Sequence, residues 1–215
     1  MSRSSIRSVA KIVNVVLRRV YRLLRSVQSR AQVRRLVRSE ADVYVEIGAG
    51  YKKGANGWVT LDLSSGSDIC WDLRKGLPFP DGTVHALYSS HLLEHLTHKE
   101  TQILLRDVLR ALKPGGTFSV CVPNAQLYLE AYATGRALDP EQFFGYTPAF
   151  NDTTRIDMVN YTAYMDGQHK YMWDMENLLH VLRGAGFGDV QPREFDAMLD
   201  MPERDFESIY AVATR

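Results

Sequence analysis

A chain of 215 residues with 45% apolar and 24% charged side chains has the composition of one globular domain with some extra elements, which excludes a disordered tail. The net charge of +1 hides an asymmetry: residues 1–40 hold eleven of the 26 Lys and Arg against one acid, Glu40, so a basic arm precedes a net acidic body. Cys70 and Cys121 lie in apolar, strand-like runs without the spacing of a zinc site, and read as reduced core residues of an intracellular, cytoplasmic protein.

In the arm, Ile6, Val9, Val13, Val16, Leu17, Val20, Leu24 and Val27 recur at the spacing of one helical face, while Arg18, Arg19, Arg22 and Arg25 fall largely elsewhere. The pattern predicts a basic amphipathic helix. Lys11, Asn14, Arg18 and Arg19 interrupt the apolar stretch, so it is too short and too charged to span a bilayer, and no small-residue cleavage site marks it as a signal peptide. Three roles stay open for residues 5–38: packing on the chain's own domain or in an oligomer, peripheral contact with the inner face of a membrane, and, least favoured, nucleic-acid binding.

From residue 42 the pattern changes to short apolar runs that stop at glycine or acid. Residues 42–47 (DVYVEI) predict a buried parallel strand ending in the turn Gly48-Ala49-Gly50. Residues 58–63 (WVTLDL) predict a second strand that ends at Asp62, sixteen residues after Glu46; residues 68–71 give a third that delivers Asp72. Two prolines and an Asp-Gly turn precede a fourth strand near residues 84–89, with Ser90 and His91 at its carboxyl end. Residues 99–112 have the spacing of an amphipathic helix that stops at the LKPGG turn, and residues 117–122 predict a fifth strand.

In order and spacing, EIGAG, LDL, DLRKGLPFPDGTVHALYSSHLLEHL and LKPGG resemble the class I S-adenosylmethionine-dependent methyltransferases. The likeness is strongest to small members whose core reads LPFPD, SSHxLEHL and LKPGG, some of them associated with surface-polysaccharide synthesis, and it covers roughly residues 43–190. It implies an α/β fold: a Rossmann-like, doubly wound, mostly parallel sheet with an antiparallel last strand. The chain adds reduced early helices and an N-terminal helical extension to that pattern. YKKGANG and SSGSDI are too short for full helices, which leaves part of one sheet face for the arm to cover.

The resemblance also implies S-adenosylmethionine as cofactor. It places Glu46, Gly48, Ala49 and Gly50 at the methionine and ribose portions, Asp62 and Leu63 at the ribose, Asp72 and Leu73 at the adenine, and Ser90 on the same rim. A carboxylate that accepts from both ribose hydroxyls is equally at home in dinucleotide-binding folds, so NAD is the competing ligand. The missing GxGxxG and the short first connection argue against it. The chain departs from the family pattern at Lys52, where many members carry a third glycine.

HLLEHL places His91, Glu94 and His95 within one helical turn if the segment is helical. A zinc site of the HExxH kind needs Glu directly after the first His, so no metal is expected; His95 with Glu94 reads as a satisfied structural pair, and His91 as a candidate facing the acceptor. The second candidate base is His169, just before a helix beginning near Trp173, where related enzymes often place a histidine near the acceptor. Ten of the 22 aromatics fall in residues 126–173, including Phe143, Phe144, Tyr146 and Phe150. They suit either an aromatic acceptor lid or a local mini-core. The final residues, 208–214, predict the antiparallel strand.

Two units are expected: an arm at 1–40 and a methyltransferase domain at 41–215 with an acceptor insertion at about 124–173. The expected reaction is methyl transfer to a hydroxyl of a small molecule or glycan, a sugar first of all, with an aromatic or lipid-linked metabolite as the alternative acceptor. A non-catalytic protein of the same fold working through its arm is the rival of another class.

Overall fold

The computed structural model describes residues 25–143, 149, 151 and 153–215, the side chains of Pro140 and Phe143 excepted. The apolar positions of the arm before Arg25, and Phe144, Tyr146 and Phe150, lie outside the described residues. Seven strands form one sheet: β1 (Tyr44–Ile47), β2 (Trp58–Asp62), β3 (Ile69–Cys70), β4 (Val84–Ser90), β5 (Leu112–Pro123), β6 (Asp189–Pro192) and β7 (Ser208–Thr214). Their order is β3-β2-β1-β4-β5-β7-β6, parallel from β3 to β5, with β7 antiparallel to both neighbours. The chain order reverses between β1 and β4, and a ligand crevice forms beyond the strand ends at such a point.

The helices are α1 (25–39 as described), α2 (His98–Ala111), α3 (Ala125–Thr134), α4 (Arg155–Tyr164) and α5 (Met175–Gly184). Thr97 and Glu100 start α2 with a reciprocal capping box, and its Thr101, Leu104, Leu105 and Val108 face the sheet. No α-helix joins β1 to β2 or β2 to β3. In α1, Val33 is fully buried in the main core, Leu36 and Val37 pack against it, and Ser29 donates to the Cys70 carbonyl at 2.8 Å. Arg30 lies 5.5 Å from the Trp71 ring. The described part of the arm therefore rests on the sheet beside its shortest strand. Among the described residues no helix is long and apolar enough to cross a membrane.

Two expected elements differ. The third strand shrinks to Ile69–Cys70, because Asp68 turns its carboxylate back to the β1–β2 loop instead of pairing along an edge. LKPGG is not a free turn: α2 ends at Ala111 and β5 begins at Leu112, with Lys113–Gly116 forming a bulged entry between the Val84–Leu112 and Ala86–Thr117 pairings. Gly116 is needed there, since a β-carbon would stand 2.9 Å from the His85 carbonyl. In the insertion, Tyr128, Ala131 and Leu138 make a second small core with Leu127, Met158 and Phe206, so the mini-core exists.

Asp68 carries a pH-dependent part of this architecture. Burial pushes its carboxyl up, but N–H bonds from Thr60 and Gly54, the Thr60 hydroxyl and nearby Lys53 outweigh it and hold the acid below its ordinary value. A lowered folded pKa means the stabilisation is complete above about pH 4 and is lost as pH falls through the lowered value. Denaturant midpoints measured between pH 2 and 6 should fall more steeply for the wild type than for Asp68→Asn, which is less stable at neutral pH.

Candidate active site

Beyond β1 the chain makes two left-handed glycines, Gly48 at φ 74° and Gly50 at φ 62°. They differ in surroundings. A β-carbon on Gly48 would meet Leu92 at 2.9 Å, so that glycine serves close packing of the β1 turn on the β4 turn. One on Gly50 would meet nothing within 4 Å, so the backbone there is open to a ligand. Asp62, at the end of β2, spans the loops: one oxygen accepts from Gly50 N at 3.1 Å and the other from Ser64 N at 2.7 Å. Each oxygen keeps a lone pair for a ribose hydroxyl. Leu63 is exposed beside it.

Glu46 is 8% exposed, and Lys52 folds over it with Nζ 2.9 Å from Oε2. The residue in place of the family's third glycine thus neutralises the acid of the first motif. Asp72 reaches the same rim, where Arg74 holds it through two side-chain bonds of 2.8 and 2.9 Å; this pairing, chief among the causes, keeps the carboxyl below its ordinary value. Leu73 begins a short 3-10 turn after it.

One strand over, Ser90 closes β4 and His91 follows in a left-handed conformation, φ 48°, unusual for a side chain of its kind. HLLEHL is therefore not one helical turn: only Leu93–His95 forms a 3-10 turn. His91 Nε2 lies 2.9 Å from Ser208 Oγ, whose hydroxyl donates to the Arg204 carbonyl; Nε2–H is therefore the donor, and Nδ1 is turned to Glu94 Oε1 at 3.6 Å. Nε2 of His91 is thus committed within the chain, and Nδ1 faces Glu94.

His169 comes from 74 residues beyond His95, yet lies against it with ring centroids 4.9 Å apart. Main-chain bonds hold the two segments together: Lys170 N and Tyr171 N donate to the Glu94 carbonyl at 2.7 and 3.3 Å. His91, Glu94, His95 and His169 line a cavity of about 460 Å³ with Pro123, Tyr128, Tyr161, Thr162, Met165, Glu203, Arg204 and Glu207. Glu94 is 2% exposed and its Oε2 has no hydrogen-bond partner, while His95 Nε2 is 3.9 Å away from Oε1. The expected satisfied pair of Glu94 and His95 is not formed. Burial pushes the Glu94 carboxyl up to about 8, and burial, then the positive Arg204, pushes His91 down to about 3. Both groups are mainly neutral near pH 7.

Residues 47–120, the span from the first glycine turn to β5, match a family model described as a methyltransferase domain. The sheet around that span has the Rossmann-like α/β fold of S-adenosylmethionine-dependent methyltransferases. A ubiquinone/menaquinone biosynthesis C-methyltransferase of Desulfotalea psychrophila is 30% identical over 137 residues, 61% of this chain and 51% of that protein. A probable S-adenosylmethionine-dependent methyltransferase of Mycolicibacterium smegmatis is 24% identical over 133 residues, 60% and 45% of the two chains. The chain spans about half the length of these curated relatives. The crystal structure of an S-adenosylmethionine-dependent methyltransferase from Mesorhizobium loti shares the fold at a TM-score of 0.51 and 22% identity, over 84% of this chain and 96% of that one. The rim has features that suit S-adenosylmethionine: an open backbone at Gly50, a two-oxygen acceptor at Asp62, and no phosphate cradle. The strand-end positions of Gly48, Gly50, Asp62 and Asp72 are legible in the sequence. The Glu94 and His169 juxtaposition is not, since no sequence signal links the two segments.

Proposed function

We propose that the protein transfers a methyl group from S-adenosylmethionine to a hydroxyl oxygen of a small, polar acceptor, a sugar in the first instance. The observation that carries this reading is the lining of the 460 Å³ cavity beside the cofactor rim: three histidines, three glutamates and an arginine, with Tyr128 and Tyr161 as the ring faces. Such walls hydrogen-bond a polyhydroxylated ring and would strand polar groups against a greasy one. Lys52, lying across Glu46, is placed for the carboxylate of the cofactor's methionine end.

The sulfonium is an activated leaving group, so the protein has mainly to align oxygen, methyl carbon and sulfur and to take charge of one proton. That proton faces the wall of Glu94, His95 and His169. His169 donates Nδ1–H to the Thr162 carbonyl at 2.8 Å, which leaves the Nε2 lone pair free; His91 spends Nε2–H on Ser208 and turns Nδ1 toward Glu94.

Calorimetry should show binding of S-adenosylmethionine and S-adenosylhomocysteine; binding of neither would sink the reading. Incubation with labelled cofactor and parallel panels of glycosides and hydroquinones should then give O-methylated sugars, located by mass spectrometry. Carbon-methylated quinols instead would favour a reaction like that named for the Desulfotalea protein.

A further inference from the structure

We propose that Glu94, His95 and His169 bind one divalent transition-metal ion, of the zinc or cobalt kind, at the floor of the acceptor cavity. One ligand atom from each lies within 4.8 Å of the other two. Donors around a tetrahedral zinc are about 3.4 Å apart, so side-chain adjustments of about 1 Å close the set.

The tautomers carry the inference. His95 Nδ1 is 3.2 Å from the Gln168 carbonyl and His169 Nδ1 is 2.8 Å from the Thr162 carbonyl. A carbonyl only accepts, so both rings are protonated at Nδ1 and both Nε2 lone pairs point elsewhere. His95 Nε2 lies 3.9 Å from Oε1 of the buried Glu94, whose Oε2 has no partner, and His169 completes the group with a ligand atom within 4.8 Å of both. Two acceptor nitrogens and a buried carboxyl group with no partner at Oε2 share at most the one proton the carboxyl can hold, and a cation resolves the arrangement by meeting all three. Histidine held by a backbone carbonyl through its second nitrogen is also how metal-ligating imidazoles are oriented. Two imidazoles and one carboxylate select zinc, cobalt or iron over magnesium or calcium and leave positions open. Those positions face the cavity, where an acceptor oxygen can complete the shell.

The frame is in place without the ion, because Lys170 N and Tyr171 N hold the His169 segment to the carbonyl of Glu94. Sequence spacing alone argued against a metal here, since HLLEHL lacks the zinc order; the third ligand arrives through the tertiary fold. The site stands independently of methyl transfer. Only its use, as the group that meets the acceptor hydroxyl in place of a free imidazole, rests on the proposed function.

The test is titration of the chelator-treated full chain with Zn²⁺ by calorimetry and with Co²⁺ by visible absorption. One ion per chain is expected, with the d–d bands of a low-coordinate nitrogen and oxygen site. Affinity should fall at least about tenfold in Glu94→Gln, His169→Ala and His95→Gln. His95 is over a third exposed, so its variant keeps the fold, which melting curves of the metal-free proteins check. No one-to-one binding by the wild type, or equal affinity in all three variants, overturns the proposal. Titration with S-adenosylmethionine after chelation separates the two readings: cofactor binding without any metal site leaves the proposed function standing and removes this one.

Discussion

Asp62→Ala is expected to weaken S-adenosylmethionine binding by about 100-fold or more while leaving the chain folded. The carboxylate has two duties. It ties the loops after β1 and β2 together by accepting from Gly50 N and Ser64 N, and in the proposed function its remaining lone pairs accept from the ribose hydroxyls. Hydrogen bonds to a charged group contribute about 1.5–3 kcal/mol each, so losing two toward the ribose accounts for the expected factor. Asp62→Asn should lie between, because an amide offers one accepting oxygen where two are used. Calorimetry with both variants decides the matter, and a melting curve controls for folding. An unchanged cofactor affinity in a folded Asp62→Ala would remove Asp62 from the site.

Asp200→Ala should have the largest effect on stability, a loss of about 3–5 kcal/mol in urea unfolding. The side chain is 1% exposed and holds Arg193 through bonds of 2.5 and 2.7 Å. It also accepts from the Tyr88 hydroxyl at 2.9 Å and from Asp196 N at 2.8 Å. Arg193 in turn donates to Ser119 at 2.7 Å and lies 4.8 Å from the Tyr210 ring. Removing the acid leaves a cation and a phenol buried without their partner. For a chain of this size the loss corresponds to a fall in melting temperature of roughly 6–20 °C. Removing both charges, as Arg193→Met with Asp200→Leu, should recover much of it, since the buried pair costs desolvation that apolar packing does not. A single-variant loss under about 1 kcal/mol would show that the network is not a support of the sheet. Its place matters to the site: Tyr88 lies on β4 just before Ser89, Ser90 and the His91 that follows the strand, and Ser119 lies on β5 beside it.

The sequence by itself determined the local elements and the turns that end them. DVYVEI, WVTLDL and the residues before Ser90 are β-branched and apolar runs that stop at glycine, acid or serine, and the last seven strand residues alternate, so each was readable from neighbours alone. The acid at Asp62, ending β2, is local in the same way. The short early connections also foretold a sheet face in need of cover, where Val33 of α1 is buried.

Tertiary structure decided what depends on residues far apart in the chain. A histidine preceding α5 and a glutamate after β4 share no periodicity, and only the main-chain bonds between their segments bring His169 onto Glu94. Lys52 pairs with Glu46, Asp68 turns away from its strand, and Arg193 meets Asp200 because buried charges and amides must find partners wherever the fold supplies them. Propensity and pattern act over a few residues, which is enough to write strands, turns and the cofactor motifs. Satisfying a buried polar group is a condition on the whole packed interior, and the cavity lined by Glu94, His95 and His169 is built around such groups.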